Sequence, residues 1–259
     1  MNRGREYSRR EFLAFGGAVA VVGSPFRHLP WWRPKELAIA GARFRIVRSK
    51  LKHKPSRRRY LLIHGDERTA REVLLEHMRT HSGVAFVAEG TTRNVPIASG
   101  QIDPNRMFSP RGAELSLKSL NPNWTAEQVG AALDLLDRER ERFLDAILPS
   151  GRDLMVALHN NTEYSFADEE PVSDRSARNQ PGDLHAFFLC TDAADYQALA
   201  ASPYNAVLQA HMRAPDDGSL SRRAAARRLR YVNLEVKEGD AARQREMLEW
   251  VDAHLPDRA

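Results

Sequence analysis

Four positions in the 259-residue sequence carry side chains that could act together on one metal ion. They are His64 and Glu67 in "LLIHGDERTAREVL" (61–74), His159 at the end of "LMVALH", and Glu235 at the end of "RYVNLE". Two imidazoles and a carboxylate are a complete protein ligand set for a catalytic zinc, which keeps its fourth position for water or substrate; a further carboxylate nearby can take that water's proton. The H-x-x-E spacing alone is a weak signal, because it arises easily by chance in a chain with nine histidines. His64 and Glu67 also read as a helix-start pair, with Glu favoured in the first turn by the helix dipole. Taken singly, His159 reads as a satisfied core histidine and Glu235 as a surface residue at a strand end. A metal site accounts for all four at once.

A second group lies in "GQIDPNRMF" (100–108), where Asn105 and Arg106 follow an acidic turn. An amide beside a guanidinium offers a fork of donors suited to a carboxylate, which points to a substrate with a free acid. The competing reading is turn chemistry at Asp103-Pro104-Asn105 with an exposed arginine.

These residues must be positioned by the elements around them. "FRIVRS" and "YLLIHG" have the apolar character of strands, "RTAREVLLEHMRTH" the spacing of a helix, and "VAFVAEG" that of another strand, giving β then βαβ order. The stretch 90–124 reads as loop-rich. Thr125 and Gln128 form a capping-box signature for the long helix "AEQVGAALDLLDRERERFLDAIL". "DLMVALH", "HAFFLCT", a helix near 192–201, "NAVLQAH", "RYVNLEV" and a helix over about 241–254 complete the order. The expected fold is a three-layer α/β/α arrangement around a central mixed, mostly parallel sheet. In such sheets sites form beyond the carboxyl ends of the strands, which is where His64, Glu67, His159 and Glu235 fall.

In this order the residues resemble a known family. H-x-x-E (His64, Glu67), D-x-N-R (Asp103, Asn105, Arg106), a strand-ending His159 and a late-strand Glu235 resemble the zinc carboxypeptidases, including their aspartoacylase and succinylglutamate desuccinylase branch, over about 60–240. The resemblance implies one zinc ion on His64, Glu67 and His159, a substrate carboxylate on Asn105 and Arg106, and Glu235 as general base and acid. It also implies an arginine that polarises the scissile carbonyl, for which Arg93 in "GTTRNVP" is the nearest candidate beside the alternative of a surface arginine. The family often has an acidic residue two before its third ligand; here that place is Ala157, which leaves Asn160 or Asn161 as substitutes for orienting His159. Tyr164 and Tyr204 could close over substrate, or serve as buried structural tyrosines.

The bulk properties fit one globular catalytic domain. At 42% hydrophobic the chain can bury a full core, and no long linker or repeat divides it. The net charge of +5 is mild, and residues 1–23 supply +2 of it, so nucleic acid is not an expected partner. The basic runs 48–59 and 221–230 read as a solvated loop and a solvated helix face. The single cysteine, Cys190, sits in a buried strand pattern and excludes an internal disulfide. Of the remaining histidines only His185, after Gly182-Asp183, has a context worth following.

The N-terminus reads as an address. Ser8, Arg9, Arg10, Phe12 and Leu13 keep the S-R-R-x-F-L pattern of a twin-arginine export signal, followed by an apolar stretch too short to span a bilayer. The expected organisation is a signal segment over 1–23, an extended leader over 24–40 and a single α/β domain over 41–259. The twin-arginine export machinery is then a partner, the periplasm or another exported location the destination, and the signal, if uncleaved, the sole membrane contact.

Two further readings compete with an exported zinc hydrolase acting on a peptide or acyl amino acid with a free carboxylate. One is a non-catalytic metal- or peptide-binding protein on the same fold, for which Glu235 would be superfluous. The other is a serine hydrolase, since "LLIHGD" resembles a His-Gly oxyanion loop. That chemistry needs a G-x-S-x-G elbow, and the chain has none.

Overall fold

The computed structural model describes residues 36–49, 56–211 and 213–257. The twin-arginine pattern and most of the leader lie outside the described residues. Within them the chain runs β1 (Glu36–Ile39), β2 (Ala42–Arg48), β3 (Arg59–Leu62), α1 (Arg68–Thr80), β4 (Val84–Ala88), β5 (Val95–Ile97), β6 (Gly100–Ile102), α2 (Pro110–Leu120) and α3 (Ala126–Ile147). It continues through β7 (Leu154–Asn161), α4 (Phe166–Glu169), β8 (Arg175–Ala177), β9 (Phe187–Cys190), α5 (Ala193–Ala200), β10 (Asn205–Leu208), α6 (Leu220–Ala226), β11 (Arg230–Lys237) and α7 (Ala241–His254).

Nine strands form one mixed sheet in the order β1-β2-β4-β3-β7-β11-β9-β10-β8, and β5 and β6 make a separate hairpin. The central strands β4, β3, β7 and β11 are parallel to one another. Antiparallel pairs flank them, at β2 with β4 and at β11 with β9. The α/β fold with a mostly parallel centre is as the sequence predicts.

Burial on both faces explains why these central strands are nearly continuous apolar runs. Along β7, Met155 and Ala157 face one core with Leu136, Phe143 and Leu144 of α3. Leu154, Val156 and Leu158 face the other, with Val73 and Leu74 of α1 and Met247, Leu248 and Val251 of α7. Phe143 holds a tilted ring contact with Phe44 of β2, with centroids 5.2 Å apart. The capping box of α3 is formed: Gln128 N donates to Thr125 Oγ1, and Thr125 N donates to the Gln128 side chain. At the N-terminal end of β11 the Arg230 guanidinium forks onto both carboxylate oxygens of Asp195, each at 2.9 Å. This buried pair anchors the strand that carries Glu235, and removing one partner of such a pair costs about 3–5 kcal/mol.

Two boundaries differ from the sequence reading. β1 lies inside the segment read as leader, because Leu37 and Ile39 pair with β2 and Ile39 is fully buried, so the folded unit begins before residue 41. The stretch 90–124 contains the β5–β6 hairpin and helix α2. Ser109 accepts from Gly112 N at 3.1 Å and Pro110 occupies the first turn, a Ser-Pro start that marks a helix N-terminus in sequence. Cys190 is buried, as expected.

Candidate metal centre

His64 follows β3 by two residues, His159 ends the apolar part of β7, and Glu235 lies in β11 in direct parallel register with His159. Residues in register in parallel strands project to the same face. Adjacency of β3, β7 and β11 therefore gathers side chains that are up to 171 positions apart in the chain. They line a cavity of about 670 Å³ whose wall also includes Arg93, Asn105, Arg106 and Tyr164.

The Glu67 carboxylate is the centre of the cluster. Its Oε1 lies 2.8 Å from His64 Nδ1 and 3.3 Å from His159 Nδ1. The donor atoms of His64, Glu67 and His159 all lie within 4.8 Å of one another, and all three residues are buried. Glu67 Oε2 is buried with no hydrogen-bond partner. An unpaired carboxylate oxygen costs about 1–3 kcal/mol or more, which a cation held there would remove. The donor set of two nitrogens and a carboxylate fits zinc.

Glu67 also sits at the N-cap of α1 but makes no side-chain cap, because its carboxylate is turned to the imidazoles. The electrostatics follow from that packing. Burial pushes the His64 imidazole down, but hydrogen bonds and charge from Asp103 and Glu67 outweigh it and raise the group to about 9. Burial pushes Glu67 up, and the two histidines overcome this and hold it at about 2. His64 Nε2 lies 2.9 Å from Asp103 Oδ1. A proton on Nε2 donated to Asp103 leaves the Nδ1 lone pair for a metal, the usual way an outer carboxylate orients a ligand histidine.

Asp103 thus has a role that its sequence context disguised as a turn residue. It does form the turn as well, since Asn105 N donates to its Oδ1 at 2.7 Å. Ala157 is buried in the core beside β11, as its side chain dictates. Neither neighbouring asparagine takes up an orienting role toward His159. Asn160 points to the opposite face, where it accepts from Ala70 N at 2.8 Å and donates to Gln244 Oε1 at 2.9 Å. Asn161 donates to Glu235 Oε2 at 3.3 Å.

Glu235 is 5% exposed and is held from two sides, by Asn161 and by Asn233 Nδ2, which donates to its Oε1 at 3.0 Å. Burial raises its pKa above the ordinary carboxylate range, with His159 pulling down and Glu67 adding to the rise. A carboxyl group poised in this way can both take and return a proton. His185 supports the same network, with its Nδ1 3.0 Å from Asn161 Oδ1.

The remaining residues stand at the cavity wall. The half-exposed Arg93 guanidinium lies 3.6 Å from Glu67 Oε1 and 3.8 Å from Asp103 Oδ2. Its loop is brought in by Gly65, where a Cβ would come within 2.8 Å of Thr92 O. Asn105 Oδ1 accepts from Leu220 N at 3.1 Å, tying the turn to α6. Arg106 Nη1 donates to Asp217 Oδ2 at 3.1 Å. Gly218, at φ +78°, packs against the Arg106 carbonyl, a position with no room for a side chain. Tyr164 hydrogen-bonds Glu169 and stacks at a tilt on Phe187. Tyr204 is buried against Phe188 and does not line the cavity.

No protein-family model matches the sequence, and no curated protein is similar to it at a significant level. Among solved structures, the chain is similar to a metallopeptidase candidate from Shewanella denitrificans OS217, with 11% identity, 86% of this chain and 84% of that chain covered, and a TM-score of 0.41. It is also similar to a succinylglutamate desuccinylase from Vibrio parahaemolyticus, with 12% identity, coverage of 87% and 78%, and a TM-score of 0.40.

Proposed function

We propose that this protein is a zinc-dependent hydrolase that cleaves a peptide or amide bond next to a free carboxylate. The observation that carries the reading is the buried Glu67 carboxylate, shared by two imidazoles and left with one orphaned oxygen, beside a buried Glu235 in register with His159. His64, Glu67 and His159 would hold the ion. Bound there, zinc would supply Lewis-acid activation of water and of the scissile carbonyl.

The chain's own groups account for the rest. Glu235 accepts the proton of the attacking water and returns it to the leaving nitrogen as the C–N bond breaks, which balances the hydrolysis to an acid and an amine. Arg93 donates to the carbonyl oxygen as negative charge develops on it. Asn105 and Arg106 receive the substrate carboxylate, and Tyr164 borders the bound substrate. The substrate class is a peptide or an N-acyl amino acid, and the twin-arginine pattern at Arg9-Arg10 supports an exported enzyme.

The test combines metal analysis of the purified chain with a screen of peptides and acyl amino acids on the parent and on Glu235→Gln. We expect hydrolysis in the parent, and in the variant an unchanged zinc content with a rate lower by about 10²–10⁴-fold. Zinc binding without hydrolysis of any substrate, or near-parental turnover in Glu235→Gln, would overturn the catalytic reading in favour of a binding protein.

A further inference from the structure

A second cluster with metal-ligand chemistry lies at the far end of α1. His77 lies in the last turn of α1 and His81, four residues on, is its C-cap, and Asp252 of α7 meets them there. A helix of 13 residues is roughly 20 Å long, so this cluster is well separated from Glu67 at the helix start. His77 Nε2 is 2.9 Å and His81 Nε2 3.8 Å from the same oxygen, Asp252 Oδ2.

The two oxygens of Asp252 are used differently. Oδ1 accepts from Arg58 and from Tyr60 Oη, the latter at 3.3 Å. Oδ2 is buried and has no aligned donor, even though two imidazole nitrogens lie near it; the His77 nitrogen also lies 3.3 Å from Tyr60 Oη, a contact that an ion would replace. A nitrogen close to an oxygen but off the N–H axis is what an ion between them requires, since the ion sits to one side of the N···O line. His81 Nδ1 lies 3.0 Å from Thr80 Oγ1 and 3.3 Å from the His77 carbonyl oxygen, and a proton held there would leave the Nε2 lone pair for an ion.

Among the described residues Arg58 is paired with Asp252, and it is shared with Asp257, to which its Nε donates at 3.1 Å. The His77 ring is buried and stacked on His81 with centroids 3.9 Å apart, whereas His81 is 40% exposed on its side chain, so its ring can turn and solvent can reach the ion.

We propose that His77, His81 and Asp252 form a second, structural site for a borderline divalent transition-metal ion such as zinc. It would clip the C-terminal end of α1 to α7 and so hold the helix whose first turn presents Glu67. The nitrogen and oxygen donors select zinc, nickel or copper over magnesium or calcium, which take oxygen ligands.

The experiment measures bound zinc, by elemental analysis after dialysis of the chelator-stripped full chain against zinc, in four proteins. The parent is expected to hold two equivalents and His81→Ala one. The His64→Ala, His159→Ala double variant is expected to hold one, and adding His81→Ala to it none. Because His81 is half-exposed, its loss leaves the core intact, and zinc should raise the melting temperature of the double variant but not of the triple one. A double variant that holds no zinc, or a triple variant that holds as much as the double, would overturn the second site. A parent with one equivalent that His81→Ala removes would instead keep this site and defeat the one at Glu67.

Discussion

Asn160 of β7 caps α1 in place of Glu67, its Oδ1 accepting from Ala70 N at 2.8 Å while the Glu67 carboxylate faces His64 and His159. The helix keeps an N-terminal acceptor, and the carboxylate at the cap position faces the two imidazoles instead. Asn160 and His159 are consecutive on one strand and point to opposite faces, so a single strand serves both needs.

Replacing Asn160 should therefore lower stability without touching a ligand. Asn160→Ala removes a cap, worth about 0.5–2 kcal/mol, and leaves the buried Gln244 side chain without its Asn160 partner. Urea unfolding should show a loss of about 1–3 kcal/mol. A loss below about 0.5 kcal/mol would show that the contact to Ala70 does not act as a cap.

The coupled charges at His64 and Glu67 give the metal-free protein a defined pH response. His64 is raised from 6.5 to about 9, so the stability it adds is complete below about 6.5 and is lost as pH rises through about 9. Glu67 is lowered from 4.5 to about 2, so its contribution is complete above about 4.5 and is lost as pH falls through about 2. The melting temperature of the stripped protein should thus decline from pH 6.5 to 9. On the proposed reading, zinc binding at pH 7 should displace a proton from His64, and affinity should climb toward pH 9. Calorimetry in buffers of different ionisation enthalpy counts that proton, and a value of zero would show that His64 is neutral before binding.

The pairing of Arg106 with Asp217 sets a competition at the proposed carboxylate site. Both side chains are more than a third exposed, and exposed pairs of this kind are worth about 0–1 kcal/mol, whereas a charge-assisted contact to substrate gives about 1.5–3 kcal/mol. Substrate should win Arg106. Asp217→Asn should lower KM for acid substrates with little change in kcat, and Arg106→Lys should raise it, since lysine loses the planar fork. Substrates amidated at the carboxylate should respond to neither change; equal effects on acid and amide would make Arg106 structural.

The proposed export depends on Arg9 and Arg10, which lie outside the described residues. A receptor reads the pair as an address, so lysine keeps the charge and loses the signal. Arg9→Lys with Arg10→Lys should leave the protein in the cytoplasm on cell fractionation, and undiminished periplasmic delivery would defeat the proposed location.

Local pattern alone determined most elements and the chemistry they carry. Apolar runs bounded by polar residues specify β3, β7, β9 and β11, and the Thr125–Gln128 box specifies the start of α3, because these signals depend on neighbours in sequence. The same runs place His64, His159 and Glu235 at strand ends. Helix α2 is hidden by its setting between a hairpin and turns, and β1 by its shortness as the first strand of the hairpin with β2. Tertiary structure alone decided strand order, because pairing between distant strands depends on how whole faces pack. That order made Glu235 the neighbour of His159, turned Asp103 onto His64, set Asp217 on Arg106, and brought Asp252 to His77 and His81. Each of these pairs joins residues from different elements, and no local spacing in the chain encodes a distance across a packed core.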